Sequence, residues 1–141
     1  MKKYLLFFSF LLFLFGCTNK NAASNCIRPF SIVINKSLDN PDMNNVLTDR
    51  GYTTINGGFK GILILNKGLD KFVAFDRICP NNDCDSQMSI ETTLGLILKC
   101  KCDRSEYSVD LGGSPQTKGF ECPAIEYKAT KIGRTIQITN F

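Results

Sequence analysis

The 141-residue chain contains no histidine and no tryptophan. The first absence removes His-based acid/base catalysis and any His-liganded metal site. Charge is sparse: 17 Lys and Arg against 13 Asp and Glu leave a formal net charge of +4, and Lys2 and Lys3 carry two of those charges. The remainder is too weakly basic to suggest a nucleic-acid partner. Beyond Cys17 there is no apolar run long enough to span a bilayer and no 3.6-residue apolar period sustained over a dozen residues. Internal repeats and low-complexity tracts are also lacking. The length supports one domain and leaves little room for a second.

What is present is concentrated at the N-terminus and in the cysteines. Of 11 Phe, 5 lie between Phe7 and Phe15, inside an uncharged run from Tyr4 to Gly16 that follows Lys2-Lys3. A basic start followed by so short an apolar run has the form of a secretory signal and is too short for a comfortable transmembrane helix. The run ends in Leu14-Phe15-Gly16-Cys17, which resembles a bacterial lipobox, with Phe15 bulkier than is usual at its place. That resemblance implies cleavage after Gly16 and lipidation of Cys17. Residues 1–16 are then a signal peptide, 17–25 the lipidated cysteine and a polar linker, and 26–141 the folded domain. The expected location is the bacterial cell envelope, lipid-anchored at the outer membrane on its periplasmic side or surface. Buried lipid chains, at about 0.8 kcal/mol per CH₂, would make the membrane one partner. An envelope protein is the other expected partner.

Six cysteines remain: Cys26, Cys79, Cys84, Cys100, Cys102 and Cys122. An even count outside the cytoplasm reads as a disulfide framework, and the sequence alone does not choose among the possible connectivities.

The elements between them read as β. Ser31 to Asn35 is a short β-type run, and Ser37 to Asn45 is a loop around Asp39-Asn40-Pro41-Asp42. Val46-Leu47 and Tyr52 to Ile55 lead as strand into the turn Asn56-Gly57-Gly58. Gly61 to Leu65 and Phe72 to Ile78 are strands joined by a hairpin over Asn66 to Asp70. Thr92 to Lys99 carries Leu94, Leu96 and Leu98 in period-two alternation. Ile125 to Thr130 and Thr135 to Thr139 form a last hairpin around Ile132-Gly133-Arg134. Several short strands with regularly spaced turns predict an all-β fold, a small antiparallel sandwich or barrel.

The most informative segment runs from Cys79-Pro80-Asn81-Asn82-Asp83-Cys84 to Lys99-Cys100-Lys101-Cys102-Asp103-Arg104-Ser105. It resembles the two cluster-binding loops of Rieske 2Fe-2S proteins, in which two cysteines ligate one iron and two histidines the other. Cys79 and Cys100 match the ligand cysteines, and Asn81 and Asp103 fall at the histidine positions. Ser105 and Tyr107 stand where the family has a Ser and a Tyr that hydrogen-bond a cluster sulfur and a ligand thiolate. Gly112-Gly113 and Cys122-Pro123-Ala124 resemble a glycine turn and a Gly-Pro-Ala loop, with Cys122 in place of the glycine. Phe59 to Asp76 resembles the strand, turn and strand before the first loop. The likeness covers roughly residues 45 to 140, and the Cys-x-Cys-His-Gly-Ser string is broken at Asp103 and Arg104. It implies a Rieske-like fold, and a degenerate site.

In that family a further cysteine in each loop forms a bracing disulfide, and Cys84 and Cys102 match that pair. With both histidines replaced, the resemblance implies Cys79 bonded to Cys100 where the cluster would sit, which leaves Cys26 for Cys122. The leading reading is therefore a module without a cofactor, serving binding or assembly rather than catalysis. The alternative is electron transfer through a non-standard 2Fe-2S cluster on Cys79 and Cys100, with Asn81 and Asp103 at the former histidine positions. A second alternative is thiol–disulfide exchange through Cys100-Lys101-Cys102, although no Cys-x-x-Cys motif with a following helix is evident. The same lack weighs against zinc. Cys100 and Cys102, one residue apart on an extended segment, would point to opposite faces.

Three weaker signals complete the reading. Asp83, Asp85 and Asp103 are carboxylates that read as solvated loop residues more readily than as a cation site. Ser105 and Tyr107 lack a base to make them catalytic and read as structural groups hydrogen-bonding backbone. Lys99, Lys101 and Arg104 form a small basic group beside the second loop.

Overall fold

The computed structural model describes residues 25–141; the expected signal peptide, Cys17 and the linker to residue 24 lie outside the described residues. Among the described residues no helix is long and apolar enough to cross a membrane. They form strands β1 (Val33–Ser37), β2 (Tyr52–Ile55), β3 (Ile62–Asn66), β4 (Phe72–Asp76), β5 (Ser89–Glu91), β6 (Ile97–Lys99), β7 (Glu106–Ser108), β8 (Ser114–Pro115), β9 (Glu126–Ile132) and β10 (Thr135–Thr139). A six-stranded sheet has the order β1-β10-β9-β4-β3-β2, and a four-stranded sheet the order β5-β6-β7-β8. Every strand pairing is antiparallel. The all-β class and the two cysteine-bearing loops, between β4 and β5 and between β6 and β7, agree with the sequence reading.

β3 organises the core. Its run Ile62-Leu63-Ile64-Leu65 is continuously apolar, as a strand covered on both faces requires. Because neighbours alternate, Ile62 and Ile64 pack with Met43, Val46, Tyr127, Ile136 and Ile138 on one side. Leu63 and Leu65 pack on the other with Phe75, Met88, Leu98, Tyr107 and Val109, where the two sheets meet. Each such aliphatic burial contributes roughly 1.5–3 kcal/mol. Cys79, Cys84 and Cys100 belong to this second cluster, so the cysteine loops rest on a packed layer.

Three elements differ from expectation. Val46-Leu47 is not strand: Pro41–Leu47 is a 3-10 helix, opened by Pro41 after the extended Asn40. Met43 and Val46, three residues apart and both buried, share its inner face at three residues per turn. The Leu94, Leu96, Leu98 alternation is strand only from Ile97 onward. Gly95, at φ 105°, turns the chain and leaves Leu94 92% exposed. The first strand begins two residues later than expected, at Val33, because the N–H of Ile32 is taken by the Asn140 side chain at 3.1 Å.

Candidate functional site

The first cysteine loop hangs from a buried carboxylate. Asp76 closes β4 and is fully buried. It accepts hydrogen bonds from the backbone N–H of Phe59 (2.6 Å), Lys60 (3.2 Å) and Ile78 (2.9 Å) and from the hydroxyl of Tyr127 (2.9 Å). Gly58, at φ 60°, permits this approach, since a Cβ there would lie 2.1 Å from Asp76 Oδ2. Burial, then the Asp76 charge, push the Tyr127 hydroxyl well above its ordinary pKa. The Arg77 guanidinium donates to the Met88 carbonyl at 3.3 and 2.9 Å, and the Met88 N–H returns to Arg77 O at 2.6 Å. Burial lowers the pKa of Arg77. Cys79 N–H to Ser86 O, 3.0 Å, then closes the loop.

The second loop is closed by Cys100 N–H to Ser105 O at 2.8 Å, with Arg104 left-handed at φ 61°. Cys102 lies in its turn and is exposed, while Cys100 is fully buried. The extended geometry expected for Cys100 and Cys102 is therefore absent: a turn, not strand alternation, separates their environments.

Three disulfides join the six cysteines among the described residues. Cys79 is bonded to Cys100, Cys84 to Cys102, and Cys26 to Cys122. The first two lie side by side, with Cys84 Sγ 3.4 Å from Cys100 Sγ. Cys79, Cys84 and Cys100 sulfurs all fall within 4.8 Å of one another. The third ties the N-terminal segment to the loop after β8, and that segment also pairs with the first cysteine loop: Ile27 N–H donates to Pro80 O and Asn82 N–H to Asn25 O.

Asn81 and Asp103 are brought together across the two loops. Asn81 Nδ2 donates to Asp103 Oδ2 and to the Tyr107 hydroxyl, both at 3.3 Å. Ser105 donates to Asp103 Oδ1 through its hydroxyl (2.6 Å) and its backbone N–H (2.8 Å). With the Ser105 proton so placed, Tyr107 donates to Ser105 Oγ over 2.8 Å. Ser105 and Tyr107 thus bond side chains, not the backbone groups expected of them. Partial burial raises the Asp103 pKa, but the hydrogen bonds from Ser105 and Asn81 outweigh it and hold the carboxyl below its ordinary value. Burial, together with the charges of Asp103 and Asp83, raises the Tyr107 pKa against the lowering bonds from Ser105 and Asn81. A cleft of about 530 Å³ opens beside Asn81, with Asn82, Asp83, Phe120, Glu121 and Cys122 on its walls, polar and apolar in equal measure.

The remaining candidates scatter. Asp85 pairs with Lys60 at 3.0 Å, and the sulfur group is the one metal-compatible cluster among the described residues, so Asp83, Asp85 and Asp103 do not form a carboxylate site. Lys99 is neutralised by Glu106 (2.8 Å) and Glu91 (3.5 Å), which leaves Lys101 and Arg104 as the exposed cations of that group.

These residues do not fit a 2Fe-2S cluster. The two thiolates that would ligate one iron are consumed in a bond to each other, and the two groups facing the other iron are an amide and a carboxylate committed to one hydrogen-bond network. Neither group supplies the neutral imidazole nitrogen of a Rieske centre.

The fold is similar to that of the ferredoxin of carbazole 1,9a-dioxygenase from Nocardioides aromaticivorans IC177, with a TM-score of 0.47 and 15% identity over 82% of this chain and 100% of that chain. No protein-family model matches the sequence. No curated protein matches it either.

One residue that shapes the site was missed in the sequence. Asp76 carried a signal, a lone carboxylate ending the apolar run Phe72 to Phe75, which a buried strand end tolerates only when well bonded.

Proposed function

We propose that this chain is a lipoprotein of the bacterial cell envelope, held through Cys17, whose Rieske-like β domain carries disulfides in place of a cluster and serves to bind or assemble an envelope partner. The observation that carries the reading is the Cys79–Cys100 bond: the cysteines matching the ligand pair are joined to each other. Asn81 and Asp103, at the histidine positions of the resemblance, are likewise satisfied by one another. The cleft beside Asn81 is the surface assigned to a partner, because it adjoins both cysteine loops, and Asp83 and Glu121 suit it to a basic one.

The test is anaerobic purification of the exported full-length chain, followed by iron analysis, denaturing alkylation and intact mass. Colourless protein with none of the six domain cysteines alkylated is the expected result. Brown protein with a reduced-state paramagnetic signal and alkylation at Cys79 and Cys100 would overturn it in favour of electron transfer. The mass of the N-terminal peptide reads the anchor, and an unmodified Cys17 removes that part. Cross-linking in the intact envelope should capture a partner that Glu121→Lys releases.

A further inference from the structure

The site contains two disulfides in contact, one reachable from solvent and one not. Cys102 is exposed, Cys84 is 2% exposed, and Cys79 and Cys100 are fully buried. The 3.4 Å between Cys84 Sγ and Cys100 Sγ is contact distance for two sulfurs that belong to different bridges. We infer that the four cysteines form a thiol–disulfide relay, in which a dithiol reductant enters at Cys102 and its electrons reach the buried Cys79–Cys100 bridge through Cys84.

The steps balance. A thiolate of the dithiol attacks Cys102 Sγ, forming a mixed disulfide there, and the electron pair of the broken Cys84–Cys102 bond stays on Cys84. Cys84 lies beside the Cys79–Cys100 bond, its sulfur within 4.8 Å of both partners, so once released from Cys102 it turns about its own side chain into line with that bond and attacks Cys100 Sγ: a Cys84–Cys100 bond forms, the Cys79–Cys100 bond breaks, and Cys79 leaves with the electron pair and takes a proton. The second thiol of the reductant attacks its own sulfur on Cys102 and departs as a cyclic disulfide, while Cys102 takes the second proton. The reductant loses two electrons and two protons. The protein gains both, ending with thiols at Cys79 and Cys102 and a Cys84–Cys100 bridge.

The surroundings favour entry at this end. Lys101 and Arg104, both exposed, lie on either side of Cys102 and attract an anionic thiolate, while the carboxylate of Asp103 between Cys102 and Arg104 is taken up by Ser105 and Asn81. No reagent reaches Cys79 or Cys100 directly in the folded domain, because both are at 0% exposure. This differs from exchange within Cys100-Lys101-Cys102, since those two cysteines belong to separate bridges.

The deciding experiment uses the full-length Cys102→Ser protein, in which an exposed residue is changed and Cys84 is left as a thiol beside Cys100. Acid quenching, denaturing alkylation and peptide mapping should find Cys84–Cys100 alongside Cys79–Cys100, with label divided between Cys79 and Cys84. Label on Cys84 alone, with Cys79–Cys100 wholly retained, overturns the relay. Cys84→Ser gives a second readout: dithiothreitol should reduce Cys79–Cys100 at least about tenfold more slowly than in the parent, because both sulfurs are buried and the neighbouring thiol that would reach them is gone. An unchanged rate also overturns it.

Discussion

Removing the Cys26–Cys122 bridge should cost the domain more than removing Cys84–Cys102. A cross-link acts mainly by restricting the denatured chain, and the restriction grows with the length enclosed. The sequence separations are 96 for Cys26–Cys122 and 18 for Cys84–Cys102. With the other bridges in place, Cys79–Cys100 shortens the closed paths to about 75 and about 7 residues, and the chain-entropy relation gives about 4.5 kcal/mol for the long bridge and about 2.4 kcal/mol for the short one. Cys122 and Cys84 are 3% and 2% exposed, so replacing each pair by alanine removes one buried sulfur and one more accessible one, and the packing losses largely cancel in the difference. The Cys26→Ala, Cys122→Ala protein should therefore be about 2 kcal/mol less stable than Cys84→Ala, Cys102→Ala. Equilibrium urea unfolding, with the other two bridges intact, reads this through tyrosine fluorescence and far-ultraviolet dichroism. The denaturant slope should rise as well, because a denatured chain freed of the long link exposes more surface. If the long-bridge variant proves the more stable of the two, the entropic reasoning fails and native contacts carry the effect.

Asp76→Ala strands three backbone donors and the Tyr127 hydroxyl and should cost at least about 3 kcal/mol in urea unfolding, whereas Tyr127→Phe removes one bond and should cost about 1 kcal/mol. The Asp103 carboxyl is held below its unfolded value of about 3.9, so its contribution is present above that pH and is lost as pH falls through the lower folded value. Asp103→Asn should accordingly flatten the acid limb of a plot of urea midpoint against pH, and an unchanged limb would contradict the network. Leu63→Ala should lose about 2–5 kcal/mol by calorimetry, while Leu94→Ala, at a site 92% exposed, should stay within about 0.5 kcal/mol.

The hairpins were legible because their signals are local. Asn66 to Asp70 turns the chain between two apolar runs, and Leu69 and Asp70 take the left-handed conformations such a turn requires. The 3-10 helix Pro41–Leu47 was not legible, since two buried residues three apart, Met43 and Val46, are too few to show a period. Leu94 misled for a related reason: alternation counts residues, but Gly95 reverses the chain in the middle of the count. At the site, cysteine spacing pointed to two loops of one constellation. What spacing could not show is what lies opposite what. Asn81 meets Asp103 across 22 residues, and Cys84 touches Cys100 across 16, through the packing of two sheets rather than through any local pattern.

The long bridge also sets how the domain would carry a load. A pull applied through residue 25 and the C-terminus passes from Cys26 straight to Cys122, so every residue between them, including β1 to β8, sits in a covalent bypass and feels no extension. Only the stretch after Cys122, the β9 and β10 hairpin, can lengthen. Under such a pull the domain would thus keep both cysteine loops unstretched while its last two strands peel, until a reductant cuts the one bond that shields the rest.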